Sequence, residues 1–167
     1  MDKRISNFSQ VAYVKRYVLT EGKESGIKVV EINNGKIRLT LNESKALDVM
    51  QAWVNGENVA FVSKNGFSTS KDAFSKRFEG GLLYTVGLDS AGVREGFETH
   101  GSFHNIPSKI ISCVCDENKI EVTGETEDTA LFGKNVKVIR KISTAPMSNG
   151  ISIEDTFINE GTIDEEY

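Results

Sequence analysis

Hydrophobic and polar positions alternate with a period of two along much of this chain. In KIRLTL, Ile37, Leu39 and Leu41 share one face, with Arg38 and Thr40 opposite. In NVKVIRKIS, Val136, Val138, Arg140 and Ile142 line up, and in ISIEDTF so do Ile151, Ile153, Asp155 and Phe157. Such alternation marks strands, whose successive side chains point to opposite faces of a sheet. Asn-Gly pairs at Asn34-Gly35, Asn55-Gly56, Asn65-Gly66 and Asn149-Gly150 punctuate the runs. Asn-Gly accepts the positive φ angles of tight hairpin turns. The pattern predicts an all-β chain built as an antiparallel β-sandwich or barrel. SQVAYVKRYVL is β-branched and aromatic and reads as strand rather than helix. SKDAFSKRF (Ser70–Phe78) has room for one turn of helix after a serine cap. LLYTVGL (Leu82–Leu88) reads as a buried strand.

Composition narrows the function. The chain has 167 residues, only two prolines and no low-complexity linker, which predicts one domain over 1–167. The net charge is −4 and the basic residues are scattered, so there is no basic stripe for nucleic acid. No apolar run approaches a membrane span. The opening MDKRISNFSQ lacks the apolar middle of a signal peptide. The expectation is a cytoplasmic protein with neither nucleic acid nor membrane as partner. Cys113 and Cys115 fall on one face of a strand-like stretch, ISCVCDE. No second Cys/His cluster completes a tetrahedral metal set, so buried free thiols are expected and no metal or cofactor.

Two features break the regular pattern. Arg140 and Asp155 each fall on an apolar-looking face, where a charge must be paired or line a polar cleft. From Phe78 to Ser108 the chain is glycine-dense, and most of it lacks strand or helix signals. Long irregular loops in compact domains tend to be functional or disordered. This one gathers Asp89, Arg94, Glu95, Glu98, His100, His104 and Asn105. Metal binding by His100 and His104 would need a helix, which Gly101 and Pro107 oppose. No G-x-S-x-G motif supplies a nucleophile and no Gly-rich strand-to-helix turn cradles phosphate. Histidine as a hydrogen-bonding group or general acid remains, although a lone loop histidine is more often structural.

GGLLYTVGLDSAG followed by HGSFHNIPS resembles a family of aldose 1-epimerase-like (galactose mutarotase-like) proteins that carry a domain of unknown function. SQVAYVKRYVLTEGKESGIKVVEINNG, KALDVMQAWVNGENVAFVSKNG, VTGETEDTALFGKNVKVIRKI and ISIEDTFINEG resemble further stretches of it, in order. The resemblance implies a galactose mutarotase-like supersandwich, here its N-terminal portion, with a sugar bound in a concave sheet cleft. In such enzymes a histidine donates a proton to the ring oxygen and a glutamate takes one from the anomeric hydroxyl. Carried over, His100 becomes the sugar-contacting and catalytic histidine. Arg77, Asp89, Asn105, Arg140 and Asp155 become substrate-binding, and Asp48 becomes a structural residue. His104 is expected to be structural. The family chain continues through a YHxNxG motif and a later region that supplies the glutamate, whereas this one stops at TIDEEY. That leaves Glu95, Glu98 and Glu154 as candidate bases by position alone. It also leaves two alternatives to an isomerase: a non-catalytic carbohydrate-binding module, and a structural β-domain. Open strand edges would permit homo-oligomers.

Overall fold

In the computed structural model, residues 4–162 and Asp164 are described. The first sheet is an antiparallel meander of β1 (Tyr13–Val18), β2 (Lys28–Asn33), β3 (Ile37–Asn42), β4 (Asp48–Val54) and β5 (Glu57–Asn58). The second sheet has the order β11-β10-β9-β8, where β8 is Lys109–Cys115, β9 is Ile120–Thr129, β10 is Asn135–Thr144 and β11 is Ser152–Asn159. Between the two in sequence lie a small ribbon of β6 (Phe61–Val62) with β7 (Gly80–Gly81), and one turn of helix, α1 (Phe74–Arg77).

The alternation explains how the sheets meet. Val30, Ile32, Leu39, Leu41 and Val49 from the first sheet pack with Ile120, Val122 and Ile142 from the second in one buried cluster. Burial of each such aliphatic side chain stabilises by about 1.5–3 kcal/mol. The intervening positions Val29 and Met50 point to the other face of the first sheet, where Ile27 and Phe67 cover them. A third cluster joins Ala46 and Phe103 to Val136 and Val138. This is the all-β antiparallel sandwich that the periodicity predicts.

Several local expectations need adjustment. Asn55 and Gly56 take φ 53° and 87°, the left-handed pair that a two-residue hairpin needs. At Asn149-Gly150 the left-handed residue is instead Met147, φ 61°. Helix α1 forms where expected, but Ala73 precedes it without a side-chain cap. Leu82–Leu88 is not a strand. Its backbone donors go to isolated acceptors: Leu82 to Val49 O, Thr85 to the Asp48 carboxylate and Gly87 to His100 O. Strand β11 forms where the alternation predicts, but it is exposed along its whole length and neither face is buried. The cysteines are free, with Cys113 exposed and Cys115 partly buried at the edge of the second sheet. Among the described residues no helix is long and apolar enough to cross a membrane.

Candidate functional site

The structure sorts the candidate residues into separate places. Arg140 is 3% exposed on β10. Its Nε and Nη2 donate to the two oxygens of Asp155 at 2.8 and 2.7 Å. Its Nη1 donates to Asp48 at 2.8 Å, Thr85 Oγ1 at 2.8 Å and the Ala46 carbonyl at 3.0 Å. This guanidinium therefore ties both sheets and the loop together, and every nitrogen has a protein partner. Asp48 also accepts from the Thr85 amide at 2.9 Å and its hydroxyl at 2.5 Å. Burial pushes the Asp48 carboxyl up to about 6, outweighing the opposite pull of Thr85 and Arg140.

Asp89 lies in the glycine-rich loop and accepts from the Ser102 amide at 3.2 Å and hydroxyl at 3.1 Å. Burial raises its carboxyl, but these hydrogen bonds win and hold it below the ordinary value. It lines a shallow groove with Val86, Val93 and Phe157. Gly101, at φ 79°, closes the same loop, and a Cβ there would stand 2.4 Å from Gly87 O. Only glycine fits that approach.

Arg77 and Asn105 do come together. Helix α1 is a single turn: Phe74 and Phe78 pack against each other at 5.0 Å, and at Phe78 the chain leaves as extended backbone. That turn drives Arg77 inward, to 3% exposure. A 3-10 turn, Phe103–Asn105, meets it. Phe103 anchors the turn in the third core cluster, which sets His104 and Asn105 against the guanidinium. Arg77 Nη1 lies 2.6 Å from His104 Nε2 and donates to Asn105 Oδ1 at 2.7 Å. Arg77 Nη2 pairs with the Glu98 carboxylate, which also accepts from Asn105 Nδ2 at 3.3 Å. Beside them Lys45 and Glu79 form a buried ion pair of 2.5 Å, with Asn42 on the second carboxylate oxygen at 3.2 Å.

These groups border an open cleft of about 570 Å³, lined in part by Lys45, Ser68, Arg77, Glu98, Ser102 and Asn105. Small-molecule sites usually fall at about 300–1,000 Å³. Behind it stands an aromatic wall: Tyr84 packs on His104 at 4.7 Å and on Phe78 at 5.0 Å. Burial pushes the Tyr84 phenol up to about 12, so it stays protonated. Burial, then the Arg77 charge, pushes His104 down to about 4, so its ring is neutral at pH 7.

His100 does not line the cleft. Its ring lies 4.9 Å from Phe74, on the helix that carries Arg77. Its backbone takes the left-handed conformation, φ 64°, at a cost of about 1–3 kcal/mol for a non-glycine residue. Its Nδ1 is buried and has no hydrogen-bond partner. Of the candidate bases only Glu98 reaches the cleft; Glu154 is exposed and pairs with Lys141 at 3.3 Å. Among the described residues no group of three His, Cys, Asp or Glu side chains could hold a metal ion. Sequence reasoning missed the Lys45–Glu79 pair and Tyr84. Glu79 beside the Gly80-Gly81 ribbon carried no signal, since its partner is 34 residues away.

A family model described as Domain of unknown function (DUF4432) matches residues 24–167. Two solved structures share the fold. The "putative aldose 1-epimerase" of Klebsiella pneumoniae subsp. pneumoniae aligns with a TM-score of 0.60 at 15% identity, over 89% of this chain and 43% of that one. The "putative mutarotase" of Salmonella typhimurium aligns with a TM-score of 0.57 at 15% identity, over 84% of this chain and 45% of that one. The chain thus spans under half the length of these two structures. No curated protein matches the sequence.

Proposed function

The chain belongs to the DUF4432 family, and from that premise we propose that it binds an aldose in the Arg77 cleft, as part of an aldose 1-epimerase-like protein. The observation that carries this reading is the cleft itself. A buried arginine, an amide and a partly exposed carboxylate converge there on a space of small-molecule size. Sugar hydroxyls are donors and acceptors at once, and such a set can serve both roles. Arg77 and Asn105 would hold ring and exocyclic oxygens, and Glu98 would accept from a hydroxyl. Arg140 and Asp155 are assigned to the fold rather than to the ligand.

If this protein turns the sugar over, we propose Glu98, the candidate base that lines the cleft, as the group that takes the anomeric proton. His100 is the proposed donor to the ring oxygen as the C–O bond opens. The aldehyde then rotates and both protons return as the ring closes on the other anomer. A second reading is binding without turnover. It is favoured by one observation: His100 packs behind Phe74, off the lining of the cleft.

Proton NMR of freshly dissolved α-D-glucose and α-D-galactose tests both. Anomer equilibration accelerated by the wild type and not by His100→Ala supports turnover. Saturation transfer to sugar protons without acceleration supports binding alone. Neither effect with a panel of aldoses would sink the sugar reading.

A further inference from the structure

We infer that His104 is the positioning residue of the cleft: its Nε2 lone pair holds the Arg77 guanidinium in place, and protonation of the ring releases it. The functional half of this inference rests on Arg77 contacting the sugar; the chemical half does not.

Arginine carries only donors. The 2.6 Å contact therefore has Arg77 Nη1 donating, and His104 Nε2 must be the unprotonated acceptor. The ring proton then sits on Nδ1, which is buried and has no hydrogen-bond partner. A ring 1% exposed, packed against Tyr84 and carrying a fixed tautomer has one polar function left, to accept from Arg77. The surroundings oppose a charge on it. Burial acts first, followed by Arg77 from α1, Lys45 from the turn after β3 and His100 from the loop; Asp89 pulls weakly the other way. Lys45 is itself paired with Glu79, and Tyr84 is a neutral phenol. Glu98 lies on the far side of the guanidinium, on Nη2. A proton on Nε2 would remove the acceptor and place a second cation against Arg77. Of the arginine's remaining partners, Tyr84 belongs to the aromatic wall, while Asn105 and Glu98 line the cleft. Released from His104, the guanidinium is drawn outward to them, across the space the ligand would fill.

The test compares wild type, His104→Gln and His104→Phe. Glutamine presents a carbonyl oxygen to Arg77 and does not titrate; phenylalanine keeps the volume and offers nothing. Long-range proton–nitrogen NMR of the imidazole should show the Nδ1–H tautomer, unchanged from pH 8 to pH 5. An Nε2–H tautomer, or a ring already charged at pH 7, would overturn the inference. The Arg77 Nη1–H resonances should be protected in wild type and His104→Gln and lose part of that protection in His104→Phe. Equal protection in all three would also overturn it. With D-glucose or D-galactose as probe, His104→Phe should bind about tenfold more weakly at pH 7, the loss of one hydrogen bond to a charged group. His104→Gln should bind as wild type at pH 7 and better than wild type near pH 4. A wild type that binds no aldose refutes the sugar reading, and the imidazole and Arg77 resonances then decide the positioning role alone.

Discussion

Two arginines are buried to the same degree in this protein, and they are held in opposite ways. Arg140 sits on a strand between two carboxylates, a hydroxyl and a carbonyl, all fixed by the two sheets. Arg77 sits on a single helical turn against a neutral imidazole, an amide and the partly exposed Glu98. The first guanidinium is closed: each of its nitrogens ends inside the protein. The second faces a cleft, and the carboxylate paired with it, Glu98, sits where water or a ligand can replace it. Burial alone does not separate an arginine that builds a fold from one that can meet a ligand. The character and accessibility of the partners do.

The largest expected effect comes from breaking the closed site. Arg140→Met leaves Asp48 uncompensated inside the sandwich and should lower unfolding free energy by about 3–5 kcal/mol, read by urea denaturation. A loss under about 1 kcal/mol would show that the two arginines are not different in kind. Arg77→Ala should cost less stability, about 1–3 kcal/mol, because Glu98 can rehydrate. Unlike Arg140→Met assayed at a temperature where it remains folded, it should abolish saturation transfer to aldoses.

Acid sharpens the contrast, because the two sites respond with opposite sign. His104 goes from 6.5 to about 4 on folding, so the folded state binds fewer protons between those values. The stability it contributes is complete above pH 6.5 and is lost as pH falls toward about 4. Asp48 goes from 3.8 up to about 6, so its contribution is complete below pH 3.8 and is lost as pH rises through about 6. His104→Gln should therefore flatten the decline of stability on acidification, and Asp48→Asn should steepen it. Denaturation midpoints at pH 7, 5.5 and 4.5 measure both, and parallel curves for the two variants would refute the assignment. The smallest effect belongs to the surface. Glu154→Ala removes an exposed pair with Lys141 and should change stability by less than about 0.5 kcal/mol, with no change in the sugar signals.

The same two regions show how far the sequence could be read. Strands β3 and β10 were legible because alternation is a local property, and Arg140 already stood out as a charge on an apolar face. Asp155 stood out in the same way, but Asp48 and Thr85 did not, since they come from the start of β4 and the loop after β7 and only the assembled sheets bring them to Arg140. Leu82–Leu88 reads as a strand because its residues are apolar. What decides its conformation is that its amides bond one by one to Val49, Asp48 and His100 instead of to a ladder. The resemblance singles out Arg77 and Asn105, which line the cleft, and His100, which does not. It left His104 as merely structural, because nothing local reveals that an arginine lies against its ring.

The latches within the glycine-rich loop have a thermodynamic consequence for any ligand. Gly87 donates to His100 O at 3.0 Å and accepts from Phe103 at 3.1 Å, while His100 donates to Gly92 O at 2.9 Å. Together with the Asp89–Ser102 bonds they divide one long excursion into several short closed circuits. The entropy of closing those circuits is lost when the chain folds, not when a ligand arrives. Asn105 and Glu98 already face the cleft, so an entering molecule would give up its own freedom but would not have to order the loop. Preorganisation of this kind raises affinity without adding a contact.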